Sequence, residues 1–484
     1  MLFRPRDRRV LWIGPAGLAP LIDPRAMTAP SSPPSTVDRD RLGRLMSAEL
    51  GPFARAHPRS GELHERAKAS LVDGVPMNWM VRWAGPWPLF VERAEGAHLA
   101  CVDGHDYVDF CLGDTGAMAG HSPGPTVAAV ERQLRRGITH MLPTDDAEAA
   151  GAELARRFGL PLWQFTITAT DANRFALRLA RHATGRSLVV IHDGCYHGSV
   201  DETFATRDPD GRVIASHGSI GPAVDPALTT RVVDFNDVGD LERALEDQRV
   251  AAVLIEPALT NIGIVLPEPG YLDAVRDLTR RTGTLLIVDE THTICAGPGG
   301  MTLRDGLRPD LLVIGKTIAG GIPAGAYGMT HELASRLSGT IERDVSDIGG
   351  IGGTLAGYAL STAAIRATLG EVLTDGAFDR MIPLAERWEA GVADAIARHG
   401  APWHVTRLGA RAEYHFVARP PRTGAEQAAH LDPELERFLH LWAMNRGVLM
   451  TPFHNMALMS PATTASDVDR HTRVFDEAVG ALFG

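Results

Sequence analysis

The sequence predicts an α/β protein: a large domain on a mostly parallel mixed sheet, with a smaller α+β domain beside it. Short apolar runs at 187–192, 230–235, 251–256, 284–289 and 311–315 alternate with helical patterns at 172–183, 240–247 and 270–282. Strands alternating with helices make βαβ units, and each crossover returns the chain to the same sheet edge, so the strands run parallel. The tail, roughly 400–484, mixes strand and helix patterns and reads as the smaller domain. A 484-residue chain with 44% hydrophobic residues builds a core without disulfide or metal staples.

The remaining elements follow in order. Asp38–Ser70 is helical in pattern, with Leu42, Leu45, Met46 and Leu50 on one face. Trp79, Trp83 and Trp87 form an aromatic stretch that ends in prolines. Leu99–Phe110 reads as a hairpin turning at Asp103-Gly104. Thr126–Arg136 and Glu148–Phe158 are helical, Phe165–Ala172 is a strand running into a helix, and Gly349–Gly357 is a glycine-rich loop. Two long helices, Ser361–Leu373 and Asp379–Ala397, lead into the tail.

Composition excludes several function classes. The net charge is 48 − 59 = −11, with no basic stripe, so no nucleic-acid partner is expected. No apolar run approaches the ~20 residues of a membrane span. Four cysteines, at 101, 111, 195 and 295, form no CxxC pair, which excludes a disulfide scaffold and suits the reducing cytoplasm. Arg4, Arg6, Arg8 and Arg9 precede a short apolar run, as in a secretion signal, but Gly14, Pro15, Gly17 and Pro20 interrupt it. With the Ser/Pro-rich stretch that follows, residues 1–40 are expected to be a disordered extension.

Only two lysines occur, Lys68 and Lys316. Lys316 follows the apolar run LLVIG, and Asp289 ends the run LLIVD, 27 residues earlier. In a parallel sheet both emerge at the carboxyl edge, where open α/β sheets bind ligands. A lysine and an aspartate at one edge suit pyridoxal phosphate: the amine forms a Schiff base with the aldehyde, and the carboxylate keeps the pyridine nitrogen protonated. A structural ion pair at a strand end would use the same two residues. Thr168 and Thr170 stand where a strand enters a helix, and a helix N-terminus offers free N–H groups to a phosphate. Gly352-Gly353-Thr354 offers a second phosphate contact, and Tyr196 with His197 offers a ring to cover a planar cofactor.

The words ALRLARHATGR (176–186), DGCYHG (193–198), LIEP (254–257), LLIVDE (285–290), the stretch 307–328 and GGTLAGYAL (352–360) occur in this order. Together they resemble the class III pyridoxal-phosphate aminotransferases, in the branch of glutamate-1-semialdehyde aminomutase and the β-amino-acid and amine transaminases. The resemblance implies the aspartate-aminotransferase fold, fold type I, in a homodimer with shared active sites. On that frame 41–110 is the N-terminal part of the small domain, 111–360 the large cofactor-binding domain and 361–484 the C-terminal part of the small domain. It also implies that Lys316 carries the cofactor, pyridoxal 5′-phosphate, and that Asp289 meets its ring nitrogen. Thr168, Ala169 and Thr170 fall at the phosphate loop, Tyr196 at the stacking ring with His197 beside it, and Glu256 beneath the site floor. Thr291 falls against the ring, and Thr354 matches a threonine that reaches the phosphate from the neighbouring subunit.

The departures are as informative. Alanine replaces the usual glycine of the phosphate loop at 169, and Thr291-His292 stands where the family has valine after the Asp-Glu pair. Two arginines that relatives use to grip a substrate carboxylate are missing; Trp79 and His454 fall at those places, with Arg82 and Arg411 as substitutes. An apolar Trp79, extended by Trp83 and Trp87, suggests a hydrophobic donor, because a carboxylate wants a bidentate guanidinium. Core packing of the same tryptophans is the competing reading. The expected activity is therefore ping-pong transfer of an amino group from a hydrophobic amine or amino acid to a keto acid such as pyruvate. An intramolecular aminomutase or a racemase would use the same cofactor residues. A non-catalytic relative is a further alternative, suggested by the altered phosphate loop. The GxSxG match at Gly120–Gly124 is rejected as a hydrolase elbow, because Pro123 has no N–H to give an oxyanion.

Overall fold

The computed structural model describes residues 37–338 and 350–484. Its centre is a seven-stranded sheet. In spatial order the strands are Leu162–Thr166, Gly325–Met329, Leu311–Ile314, Leu285–Asp289, Val250–Ile255, Leu188–His192 and Thr230–Val233. Neighbouring pairs from Leu311–Ile314 to Thr230–Val233 are parallel, while Gly325–Met329 runs antiparallel to both of its neighbours. The four strands from Leu188–His192 through Leu311–Ile314 in that order are buried along their whole length. This is why they read as unbroken apolar runs and not as alternations.

Gly325–Met329 was not expected as a strand, because GAYGM has two glycines and no β-branched residue. Its glycines are needed for close approach. A Cβ on Gly325 would lie 2.5 Å from the Thr168 carbonyl oxygen, and one on Gly328 would lie 2.7 Å from the Trp163 ring.

The hairpin at 99–110 forms from His98–Cys101 and Asp106–Asp109. Asp106–Asp109 also pairs in parallel with Val448–Leu449, so the segment before the large sheet and the tail share one small sheet. A second small sheet joins His404–Leu408, Arg411–His415 and Met456–Leu458. The 38–70 helical pattern divides into Arg39–Ala56 and Pro58–Ala67. The break falls at His57, whose neighbour Pro58 cannot continue the N–H ladder. The His57 ring is tied to the Phe53 carbonyl at 2.8 Å and the Tyr107 hydroxyl at 2.6 Å.

The helix expected over 361–373 is α-helical only to Ala367. It then widens through Thr368–Val372, where the buried Arg157 guanidinium donates to the Leu369 and Leu373 carbonyls at 2.6 and 2.8 Å. Those donations satisfy carbonyls that a regular last turn would leave exposed. Most of the expected extension, residues 1–36, lies outside the described residues, as does Gly349 of the glycine-rich loop. Among the described residues, no helix is long and apolar enough to cross a membrane.

Candidate active site

A cavity of about 410 Å³ opens at the carboxyl edge of the large sheet. Thr168, Ala169, Thr170, Tyr196, His197, Asp289, Thr291 and Lys316 all line it. These eight residues come from four separate stretches of sequence, and the sheet topology brings them to one place.

Asp289 ends a buried strand and sits on the cavity floor. Its Oδ2 accepts from Asn173 Nδ2 at 2.8 Å and pairs with His197 Nδ1 at 2.9 Å, while Oδ1 accepts from the Thr291 N–H at 3.0 Å. Burial pushes the Asp289 carboxyl up, but His197 outweighs it and the group titrates below its ordinary value. Burial likewise opposes charge on His197, and the Cys195 sulfur and the Asp289 carboxylate reverse that, holding the imidazole well above its usual range. The result is a sealed carboxylate–imidazolium pair with a lone pair of Asp289 left for a ring nitrogen.

The phosphate end is a helix start. Thr168 caps the helix Ala169–Thr184, its hydroxyl accepting from the Asp171 N–H at 3.1 Å. The first-turn N–H groups have no partner within the helix and face outward, with the positive end of the dipole behind them. Ala169 is an ordinary helical residue, so alanine costs nothing in backbone conformation there. The glycine stands opposite instead: a Cβ on Gly315 would lie 2.9 Å from the Ala169 Cβ. Gly198, at φ +79°, lets the next loop close over Thr170, and the Ser199 N–H donates to the Thr170 hydroxyl at 3.1 Å.

The walls complete the fit to a planar phosphorylated aldehyde. Tyr196 is 41% exposed, with its ring free to cover a cofactor face. The Thr291 hydroxyl, also in the cavity lining, is buried without a partner. Glu256 does not reach the cavity. Its carboxylate accepts the Tyr196 backbone N–H at 3.0 Å and the Thr260 hydroxyl at 2.5 Å, which fixes the loop carrying the ring.

Lys316 Nζ lies 2.8 Å from Asp114 Oδ2, 3.0 Å from the Asp114 carbonyl and 2.7 Å from His292 Nε2. Asp114 was not expected. The signal that could have found it is GDTG just after the hairpin, where an acidic residue sits in a glycine-flanked turn.

Other expected residues lie elsewhere. Thr354 lines a separate cavity of about 830 Å³, with Trp163, Phe165, Tyr327 and Tyr358. Trp79 packs edge-on against Phe453 at 5.9 Å, and the exposed Arg82 lies over the same ring at 5.3 Å. Arg411 is wholly buried, donating to Glu413 at 3.2 Å and the Thr260 carbonyl at 2.9 Å. His454 Nδ1 is 3.5 Å from Glu413.

Residues 79–479 match the model of the family described as aminotransferase class-III. The chain belongs to that family. As a class III enzyme it uses pyridoxal 5′-phosphate, and the cavity residues fit that cofactor. A crystal structure of a glutamate-1-semialdehyde-aminomutase from Pseudomonas aeruginosa PAO1 is 48% identical, with a TM-score of 0.90 over 92% of this chain and 99% of that one. A glutamate-1-semialdehyde 2,1-aminomutase from Thermomicrobium roseum is 34% identical over 85% of this chain and 95% of its own length. An omega-transaminase from Sphaerobacter thermophilus is less similar, at 30% identity and a TM-score of 0.78, covering 88% of this chain and 98% of that one.

These relatives overturn the expected intermolecular transfer from a hydrophobic amine and favour the aminomutase alternative. The structure supplies the physical reason. The apolar wall was inferred from Trp79, Trp83 and Trp87, and none of the three lines the cofactor cavity. Trp87 instead packs near Phe53 and donates to the His57 carbonyl at 3.0 Å, and Trp83 joins the same apolar cluster. Core packing accounts for these two.

Proposed function

We propose that this chain is a pyridoxal-phosphate aminomutase of the glutamate-1-semialdehyde 2,1-aminomutase type, moving an amino group between neighbouring carbons of one small carboxylate substrate. The observation that carries this reading is the 48% identity to the P. aeruginosa protein across 92% of the chain.

When bound, the cofactor supplies an electron sink for charge developing on the carbon next to the transferred nitrogen. The chain's residues do the rest. Lys316 would hold the cofactor and carry the proton between the reacting carbons as base and then acid. Asp289, oriented by Asn173 and charge-balanced by His197, keeps the ring nitrogen protonated. Thr168, Ala169 and Thr170 would bind the cofactor's phosphate through the helix start, and Tyr196 and Thr291 would hold its ring. Glu256 positions Tyr196.

Thr354 stands outside the cofactor cavity, which supports its delivery to the phosphate of a second copy and hence a homodimer. Four cysteines without disulfides support a cytoplasmic location. Arg82, whose exposed guanidinium lies over the Phe453 ring outside the cofactor cavity, is proposed as the anchor for the substrate carboxylate, because the Arg411 guanidinium is sealed against Glu413. Arg82→Ala is then expected to raise KM about tenfold or more with cofactor binding unchanged; an unchanged KM would remove Arg82 from the site.

The product identifies the reaction. Holoenzyme given glutamate-1-semialdehyde and no keto acid is expected to form 5-amino-4-oxopentanoate. Product that appears only after a keto acid is added would overturn the aminomutase reading.

A further inference from the structure

The loop that meets Lys316 has an unusual backbone. Leu112, Gly113, Asp114 and Thr115 all have positive φ, at 42°, 58°, 50° and 79°. Three of the four are not glycine, and each such residue costs about 1–2 kcal/mol in this region. Lys316 itself has φ 51°. The loop is held by Asp109, whose carboxylate accepts the Cys111 and Leu112 N–H groups at 2.8 and 3.0 Å. Strain of this kind persists where the surroundings enforce it and gathers at functional sites.

That strain delivers two groups. Asp114 presents both its carboxylate and its carbonyl to Lys316, and Thr115 presents its hydroxyl to His292 Nδ1 at 3.0 Å. An ammonium has three N–H donors and no acceptor. Its three partners here are the Asp114 carboxylate, the Asp114 carbonyl and His292 Nε2, one for each hydrogen. His292 Nε2 is therefore the acceptor, and Nδ1 carries the imidazole proton and donates it to Thr115.

We propose that His292 is a proton-relay residue: it takes a proton from the Lys316 ammonium at Nε2, leaving the lysine a neutral amine ready to attack, and later returns it. One N–H bond breaks at Nζ and one forms at Nε2, so the charge of the pair is unchanged. Asp114 Oδ2, 3.9 Å from His292 Nε2, then faces the imidazolium. The groups bearing on His292 are Lys316, Asp114, Arg411 and His454. While the lysine is charged, burial first and the ammonium second push the imidazole down to about 3. Loss of the lysine proton removes the second of these causes; Asp114 alone then favours charge on the ring, against burial, Arg411 and His454, so the proton is held only in passing. Thr115 and Asp114 are positioning residues for this exchange.

The inference rests on Lys316 being the cofactor lysine, as proposed above, and not on the identity of the substrate. The test is therefore covalent capture of pyridoxal phosphate by the cofactor-free full-length protein, followed by visible absorbance from pH 5 to 10. His292→Ala is expected to slow capture about 10²-fold at neutral pH. Added imidazole should restore the rate, more strongly with more basic imidazoles, and His292→Gln should stay slow. Thr115→Val, which keeps the ring but not its hydroxyl partner, should slow capture less and shift its pH midpoint. It carries the test if His292→Ala does not fold. Capture by His292→Ala at the native rate, or a loss that glutamine repairs and imidazole does not, would overturn the relay. Unimpaired capture by Lys316→Ala would instead overturn the lysine assignment beneath it.

Discussion

At the scale of single residues, the gathering of eight expected residues at one cavity was readable because the chemistry sought is tied to local sequence. Asp289 ends an apolar strand and Lys316 lies two residues beyond the end of another, so a strand pattern alone places them at one edge. Asp114 carried only the faint signal of the glycine-flanked GDTG turn, and the contact of His292 with Lys316 carried none. They depend on a left-handed loop, and positive φ at Leu112, Asp114 and Thr115 leaves no mark in residue types that normally avoid it. The alanine at 169 was weighed as a weakness of the phosphate loop, yet it is an ordinary helical residue facing Gly315. Lys316→Ala should retain the fold and lose turnover by several orders of magnitude, because the proposed function routes both cofactor attachment and proton transfer through Nζ. Absorbance spectra together with a turnover assay check this, and multiple turnovers by the variant would contradict it.

At the scale of elements, the buried strands were legible as unbroken apolar runs and the amphipathic helices from their period, and the misses have physical causes. GAYGM forms a strand because its glycines accept close neighbours, a tertiary demand that no local propensity shows. The helix after Tyr358 widens because Arg157, some 200 positions earlier in the chain, captures its carbonyls. The tryptophan stretch misled because aromatic spacing does not separate a core from a pocket wall.

The loop 193–199 closing on the helix start at 169 makes a sharper test. A Cβ at Gly198 would lie 2.2 Å from the Thr170 hydroxyl, at a φ of +79°. Gly198→Ala therefore has to open the phosphate cradle, at a cost of about 1–2 kcal/mol from the backbone alone. The dissociation constant for pyridoxal phosphate, measured by titration, should rise about tenfold or more. Affinity equal to the native protein would mean that this loop does not shape the cradle.

At the scale of the molecule, the buried histidines set an acid limit. Burial holds His192 and His471 neutral, pushed down to about 3, and His415 and His440 to about 4. Their folded values lie below the unfolded value of about 6.5, so the unfolded chain binds protons that the folded chain refuses. Their contribution to stability is complete above about pH 6.5 and falls as pH drops from there toward 4, by at most about 1.4 kcal/mol per histidine per pH unit. The melting temperature should be level near neutrality and fall steeply below pH 6, with net proton uptake on unfolding. A flat profile down to pH 4.5 would contradict the buried neutral state.

The distinction between moving an amino group within one molecule and passing it to another is also a property of the whole molecule. The cofactor residues serve both, which is why the sequence pattern named the family while the intermolecular transfer expected from it was wrong. The most direct measurement is the number of turnovers per active site when purified holoenzyme receives glutamate-1-semialdehyde and no keto acid. Many turnovers per site, unaffected by added pyruvate, are expected of an aminomutase. A stop at about one equivalent per site, relieved by pyruvate, would contradict it.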